Sequence, residues 1–89
     1  MVPPSLIPET LKMGSPVLVR WDDPTTVAGW IEDPALADVR QVATLGWYSG
    51  STSRYLWLAG SKGNDESWAD VTVLPVGCIT SVEALEETA

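Results

Sequence analysis

The chain has 89 residues, one cysteine, no histidine, and a formal net charge of −7 from 12 acidic and 5 basic side chains. That length sets a single domain as the expectation. One cysteine excludes an intrachain disulfide and a cysteine-rich zinc site, and the missing histidine removes Ser-His and Cys-His catalysis. The acidic balance is a poor match for phosphate backbones or an anionic membrane surface.

No run approaches the length of a membrane-spanning helix. The opening MVPPSLIPET lacks a basic region and a long apolar run, so it does not read as a signal peptide. A cytoplasmic protein is the expectation. Five tryptophans and two tyrosines with no phenylalanine predict a core built largely from indole rings. Cys78, between Gly77 and Ile79, reads as a small buried hydrophobe.

Residues 1–14 form an N-terminal arm, with a short helix predicted over Pro8–Met13 and stopped by Gly14. The first strand runs from Val17 to Trp21, with Val17, Val19 and Trp21 on one face and Leu18 and Arg20 on the other. Asp22-Asp23-Pro24-Thr25 is turn chemistry, and Gly29-Trp30-Ile31 extends or bends the chain beyond it. Asp33-Pro34 is an N-cap followed by proline at the first helical position, which predicts a short helix over Pro34–Val39.

Gln41–Tyr48 is the second strand, with Gly46 inside it marking a bulge or sharp bend. Gly50–Ser53 is a turn, and Arg54–Ala59 the third strand of a hairpin. Ser61–Glu66 is a polar loop. Trp68–Leu74 and Cys78–Leu85 are the fourth and fifth strands, and residues 86–89 an acidic tail.

Pro75-Val76-Gly77 interrupts two good β-runs with too few residues for a hairpin. Pro75 cannot donate to a ladder and Gly77 tolerates unusual dihedrals. Three residues suffice for one 3₁₀ turn that redirects the chain by a large angle. The expected architecture is therefore all-β: a five-stranded, strongly bent barrel over residues 15–85. The alternative is an open five-stranded meander.

Both faces of the middle strands are apolar. Tyr55, Trp57 and Ala59 line one side of the third strand, and Leu56 and Leu58 the other. One interior cannot cover both, so the second face calls for the N-terminal helix or a neighbouring subunit. A homo-oligomeric ring is the expectation.

The layout of a short helix and five strands, together with Leu74-Pro75-Val76-Gly77-Cys78-Ile79-Thr80-Ser81-Val82, resembles the Sm-like family of small barrels, whose plan is also that of SH3-like barrels. Leu74, Ile79 and Val82 fit the apolar positions of that family's second signature. Its first signature, an acidic-x-x-hydrophobic-Asn loop, is absent, and Gly50-Ser51-Thr52-Ser53 stands in its place. Thr44–Trp47 and Leu74–Ile79 also resemble small proteins of tailed phages, which implies a host-cytoplasm setting. The resemblance implies RNA as the first ligand to test. The family binds RNA through a charged turn between the last strands, but Pro75, Val76, Gly77 and Cys78 carry no charge, so its uridine pocket does not carry over.

The acidic pairs Asp22-Asp23, Glu32-Asp33 and Asp65-Glu66 read as solvated loop charge, with no EF-hand spacing. No metal, cofactor or catalytic residue is expected. Aromatics that stack on bases need a basic groove beside them, and the chain offers Arg20, Arg40, Arg54 and Lys62. Arg54 and Lys62 flank the third strand, where a ring would gather them at a pore. The candidate ligand or interface residues are Trp47, Tyr48, Arg54, Tyr55, Trp57, Lys62, Val76, Gly77 and Cys78. The functional expectation is a non-catalytic ring-forming module for RNA binding or scaffolding. Its rival is a protein-interaction or virion-assembly module, or an acidic inhibitor of a host protein, that binds no nucleic acid.

Overall fold

A computed structural model describes residues 6–24, 29–34 and 38–86. The chain is all-β: five antiparallel strands, β1 (Pro16–Asp23), β2 (Arg40–Ser51), β3 (Tyr55–Lys62), β4 (Trp68–Pro75) and β5 (Ile79–Ala84). They form one sheet in the order β4-β3-β2-β1-β5. This is not a plain meander, because β5 returns to pair with β1 rather than with β4. Nor is the sheet closed. β4 and β5 are its edges, and among the described residues no ladder joins them.

The turn between those edges is the expected one. Val76–Cys78 is a single 3₁₀ turn, entered from Pro75 in extended backbone and left through Ile79, whose N–H donates to the Val76 carbonyl. The Val76 N–H donates to the Arg54 carbonyl at 2.8 Å, fixing this turn against the start of β3.

Alternation along the strands decides the core. Val17 and Val19 of β1, Leu56 and Leu58 of β3, Leu74 of β4 and Ile79 of β5 are buried together on one face. Leu6, Ile7, Leu11, Trp21, Tyr48 and Val82 pack around them. The expected indole core is therefore replaced by an aliphatic one. Trp21, Trp47, Trp57 and Trp68 are half-buried and Trp30 is fully exposed. β-Branched and leucine side chains fill the narrow space inside a bent sheet, and the broad indoles are left to its margins. Cys78 is half-buried rather than buried.

The helix expected over Pro8–Met13 does not form. Two successive turns occupy the segment, the first closed by the Leu11 N–H on the Pro8 carbonyl at 3.0 Å. Gly14, at φ 87°, ends it. The Gly14 N–H then donates to the Tyr48 carbonyl, and the Tyr48 N–H to the Ser15 carbonyl, so the arm enters β1 already paired with β2. Residues 35–37 of the helix expected over Pro34–Val39 lie outside the described residues.

The bend expected at Gly46 is displaced. Gly46 pairs in regular register with Val17. The irregularity lies between Tyr48 and Ser51, where β2 slips against β3 around Gly50 at φ 127°. A second local feature sits opposite Gly60. The ladder pairs Ala59 with Val71 and Ser61 with Ala69, and Asp70 between them adopts φ 55°. Short polar side chains tolerate that left-handed backbone.

Candidate functional site

An open groove of about 860 Å³ runs along one end of the sheet. The N-terminal arm supplies one wall through Leu6, Ile7, Pro8, Glu9 and Leu11. The β2–β3 turn, Ser51 to Tyr55, supplies the other, with Tyr48 beside it. Pro75, Val76 and Gly77 close the end.

The turn wall is braced from within. The Thr52 N–H donates to the Tyr55 carbonyl at 2.8 Å. The Thr52 hydroxyl accepts from the Arg54 and Tyr55 N–H groups, both at 3.1 Å. Side-chain capping of this kind holds a tight turn in one shape without a partner. Tyr48 and Ser51 share a hydrogen bond between their hydroxyls at 2.6 Å across the β2 irregularity. The groove is thus largely pre-formed, apolar along the arm and Pro75-Val76, with hydroxyls on the opposite side. That mixture is the usual make-up of a ligand cleft.

Its charges are few. Glu9 and Arg54 are the lining residues that carry charge. Among the described residues the Arg54 guanidinium has no hydrogen-bond or ion-pair partner; Arg20 pairs with Glu83 at 3.8 Å on the β1–β5 side of the sheet. Gly77 faces open space, with nothing within 4 Å of the position a Cβ would take.

Five of the nine candidate residues meet in this groove: Tyr48, Arg54, Tyr55, Val76 and Gly77. The others do not. Trp57 stands on the outer face of β3, its ring tilted at 57° to that of Tyr55 with centroids 6.0 Å apart. Trp47 and Lys62 meet each other at the far end, the Lys62 ammonium 4.2 Å from the Trp47 ring centroid. Cys78 ends the 3₁₀ turn outside the groove lining. Arg54 precedes β3 and Lys62 ends it, roughly 25 Å apart at about 3.3 Å per residue. Within one copy they form no cationic cluster.

Sequence reasoning does not place Leu6, Ile7 and Leu11 in the site. The signal is present as an apolar pair before Pro8 with a third apolar residue four further on. It reads as a cap on the core, and these residues do pack on the core as well as lining the groove.

A second, smaller cleft of about 360 Å³ lies where β1 slips against β5, lined by Arg20, Trp21, Asp22, Gln41, Val42, Ala43 and Thr80. The Trp21 indole N–H donates to the Thr44 hydroxyl there at 2.9 Å. Among the described residues no three histidine, cysteine, aspartate or glutamate side chains are grouped so as to hold a metal ion. Among the same residues no helix is long and apolar enough to cross a membrane. Comparison with protein-family models, with curated proteins and with solved structures finds no match.

Proposed function

We propose that this chain is a non-catalytic binding module on the small-barrel plan of the SH3-like and Sm-like proteins, and that its groove holds an extended segment of a protein partner. The groove carries this reading. It is an open, pre-braced channel with two tyrosines and two prolines on its surface and apolar side chains along one wall. Extended peptides dock in such channels through apolar side chains and hydrogen bonds to tyrosine hydroxyls. Glu9 and Arg54 give it one charge of each sign, which suits a peptide better than a polyanion. The strand order and the 3₁₀ turn between β4 and β5 support the small-barrel plan.

A second reading is RNA binding by an Sm-like ring. The observation favouring it is position, because the groove lies between the β2–β3 turn and the turn joining the last two strands, and the second of these is where Sm-like proteins hold RNA. Against it stand the net charge of −7 and the single cation in the groove.

The deciding experiment is a selection from a displayed random-peptide library, run beside titration with an oligouridine at two salt concentrations. Selected peptides that lose binding to Tyr55→Ala and Arg54→Ala support the protein-binding reading. Oligouridine binding that weakens with salt and needs Arg54, with no peptide selected, replaces it by the second.

A further inference from the structure

The outer face of β2, β3 and β4 is bare of charge. No charged residue occurs from Ala43 to Trp47, from Tyr55 to Ser61, or from Val71 to Pro75, in a chain with 17 charged side chains, 12 acidic and 5 basic. On the inward side of these segments Leu56, Leu58 and Leu74 belong to the core. Of the outward residues Leu45 is 67% exposed, Tyr55 41%, Val71 46% and Val73 49%, Trp47 and Trp57 are half-buried, and Ala59 is buried between its neighbours. Register makes them one surface, since Trp57 pairs with Val73, and Ala59 lies between Trp47 and Val71. The band reaches the free edge of the sheet at β4 with no charge on its outer face to guard it, although edge strands are commonly protected by charge. Lys62, over Trp47, closes the other end.

We propose that this band is the surface through which two copies of the chain pair about a two-fold axis. Charge selects the occupant. At a net charge of −7, a basic partner is drawn to the acidic loops, and the band offers it nothing. A like-charged copy is repelled everywhere except where the contact carries no charge. The band complements an equally bare apolar surface, and a second copy presents one of the same size and outline. An isologous contact is the result, because the same strip must meet itself. Contiguous apolar surface of this kind is ordinarily covered. The inference does not rest on what the groove binds, although Tyr55 and Pro75 border both surfaces, and it differs from a ring joined through β4 and β5.

The test is mass in solution by light scattering across a concentration series, on the full chain. Twice the 9.6 kDa chain mass is expected, with association strengthened as salt screens the repulsion. Val73→Glu is expected to weaken association at least tenfold, and Gln41→Glu, on β2 outside the band, to leave it unchanged. Circular dichroism checks that Val73→Glu is folded; if it is not, Leu45→Lys replaces it as the deciding variant. A wild-type chain that stays monomeric at all concentrations overturns the proposal. So does a ring whose mass the folded band variant leaves intact.

Discussion

The Lys62 ammonium lies 4.2 Å from the centroid of the Trp47 ring and donates to the Gly14 carbonyl at 3.0 Å. One side chain thus joins the end of β3 to β2 and to the arm that forms a wall of the groove. Replacing it by methionine keeps the aliphatic stem and removes these contacts. Lys62→Met is expected to lower stability by about 1 kcal/mol and to speed hydrogen exchange at the Gly14 and Ser15 amides. Unchanged exchange there would show that the arm is held without Lys62.

Leu56 and Val73 lie on adjacent strands and on opposite faces, and they should respond very differently to truncation. Leu56 is wholly buried among Val17, Val19, Leu58, Leu74 and Ile79, whereas Val73 is half exposed. Leu56→Ala removes apolar contacts and leaves a cavity, at about 2–5 kcal/mol. Val73→Ala is expected to cost less than about 1 kcal/mol in the monomer. Urea unfolding of both variants at low protein concentration measures the difference. Equal losses would mean that the outer face is already packed within one copy.

The strands were legible in the sequence. Val17 and Val19 against Leu18 and Arg20 mark the first strand by alternation, whereas Tyr55 to Ala59, apolar on both faces, mark a strand without saying which face turns inward. The 3₁₀ turn was legible from Pro75 and Gly77 alone. Closure was not, because five strands and a sharp turn are compatible with either a closed or an open edge, and the choice rests on pairing between distant segments. The tryptophans misled because composition reports how much aromatic area exists and not whether it fits inside a narrow bend. The groove was half legible. Tyr48, Arg54, Tyr55, Val76 and Gly77 belong to or flank the two turns, while the apolar pair Leu6 and Ile7 marks a cap on the core and not the wall of a groove.

Asp65 supplies a pH dependence. Its carboxylate accepts from the Ser67 hydroxyl at 2.5 Å and from the Ser67 N–H at 3.3 Å. The hydroxyl bond first, and the backbone bond second, hold its pKa below the ordinary carboxylate value. A lowered folded-state pKa contributes stability that is fully present above the unfolded value of about 3.9 and is lost as pH falls through the folded one. Asp65→Asn should therefore unfold at lower urea than wild type at pH 7, and the gap should narrow at pH 3. A gap that stays constant between the two would show that the charge of Asp65 contributes nothing to the loop.

Gly46 and Gly77 give the sharpest paired prediction, because neither sits at a backbone angle that alanine avoids and their surroundings are opposite. A Cβ at Gly46 would stand 3.0 Å from the Ala59 carbonyl oxygen and 3.3 Å from the Leu58 Cβ. That oxygen belongs to a residue paired with Trp47 in the β2–β3 ladder, so it cannot retreat without disturbing the sheet. At Gly77 a Cβ would meet nothing within 4 Å. Either alanine restricts the unfolded chain, a gain of about 0.4–1 kcal/mol. At Gly46 the gain is outweighed by overpacking of about 1–3 kcal/mol. Gly46→Ala is expected to lower the urea midpoint and Gly77→Ala to raise it. A stable Gly46→Ala would mean that β2 and β3 have room to separate, and with it the close packing of Leu58 against β2 would fall.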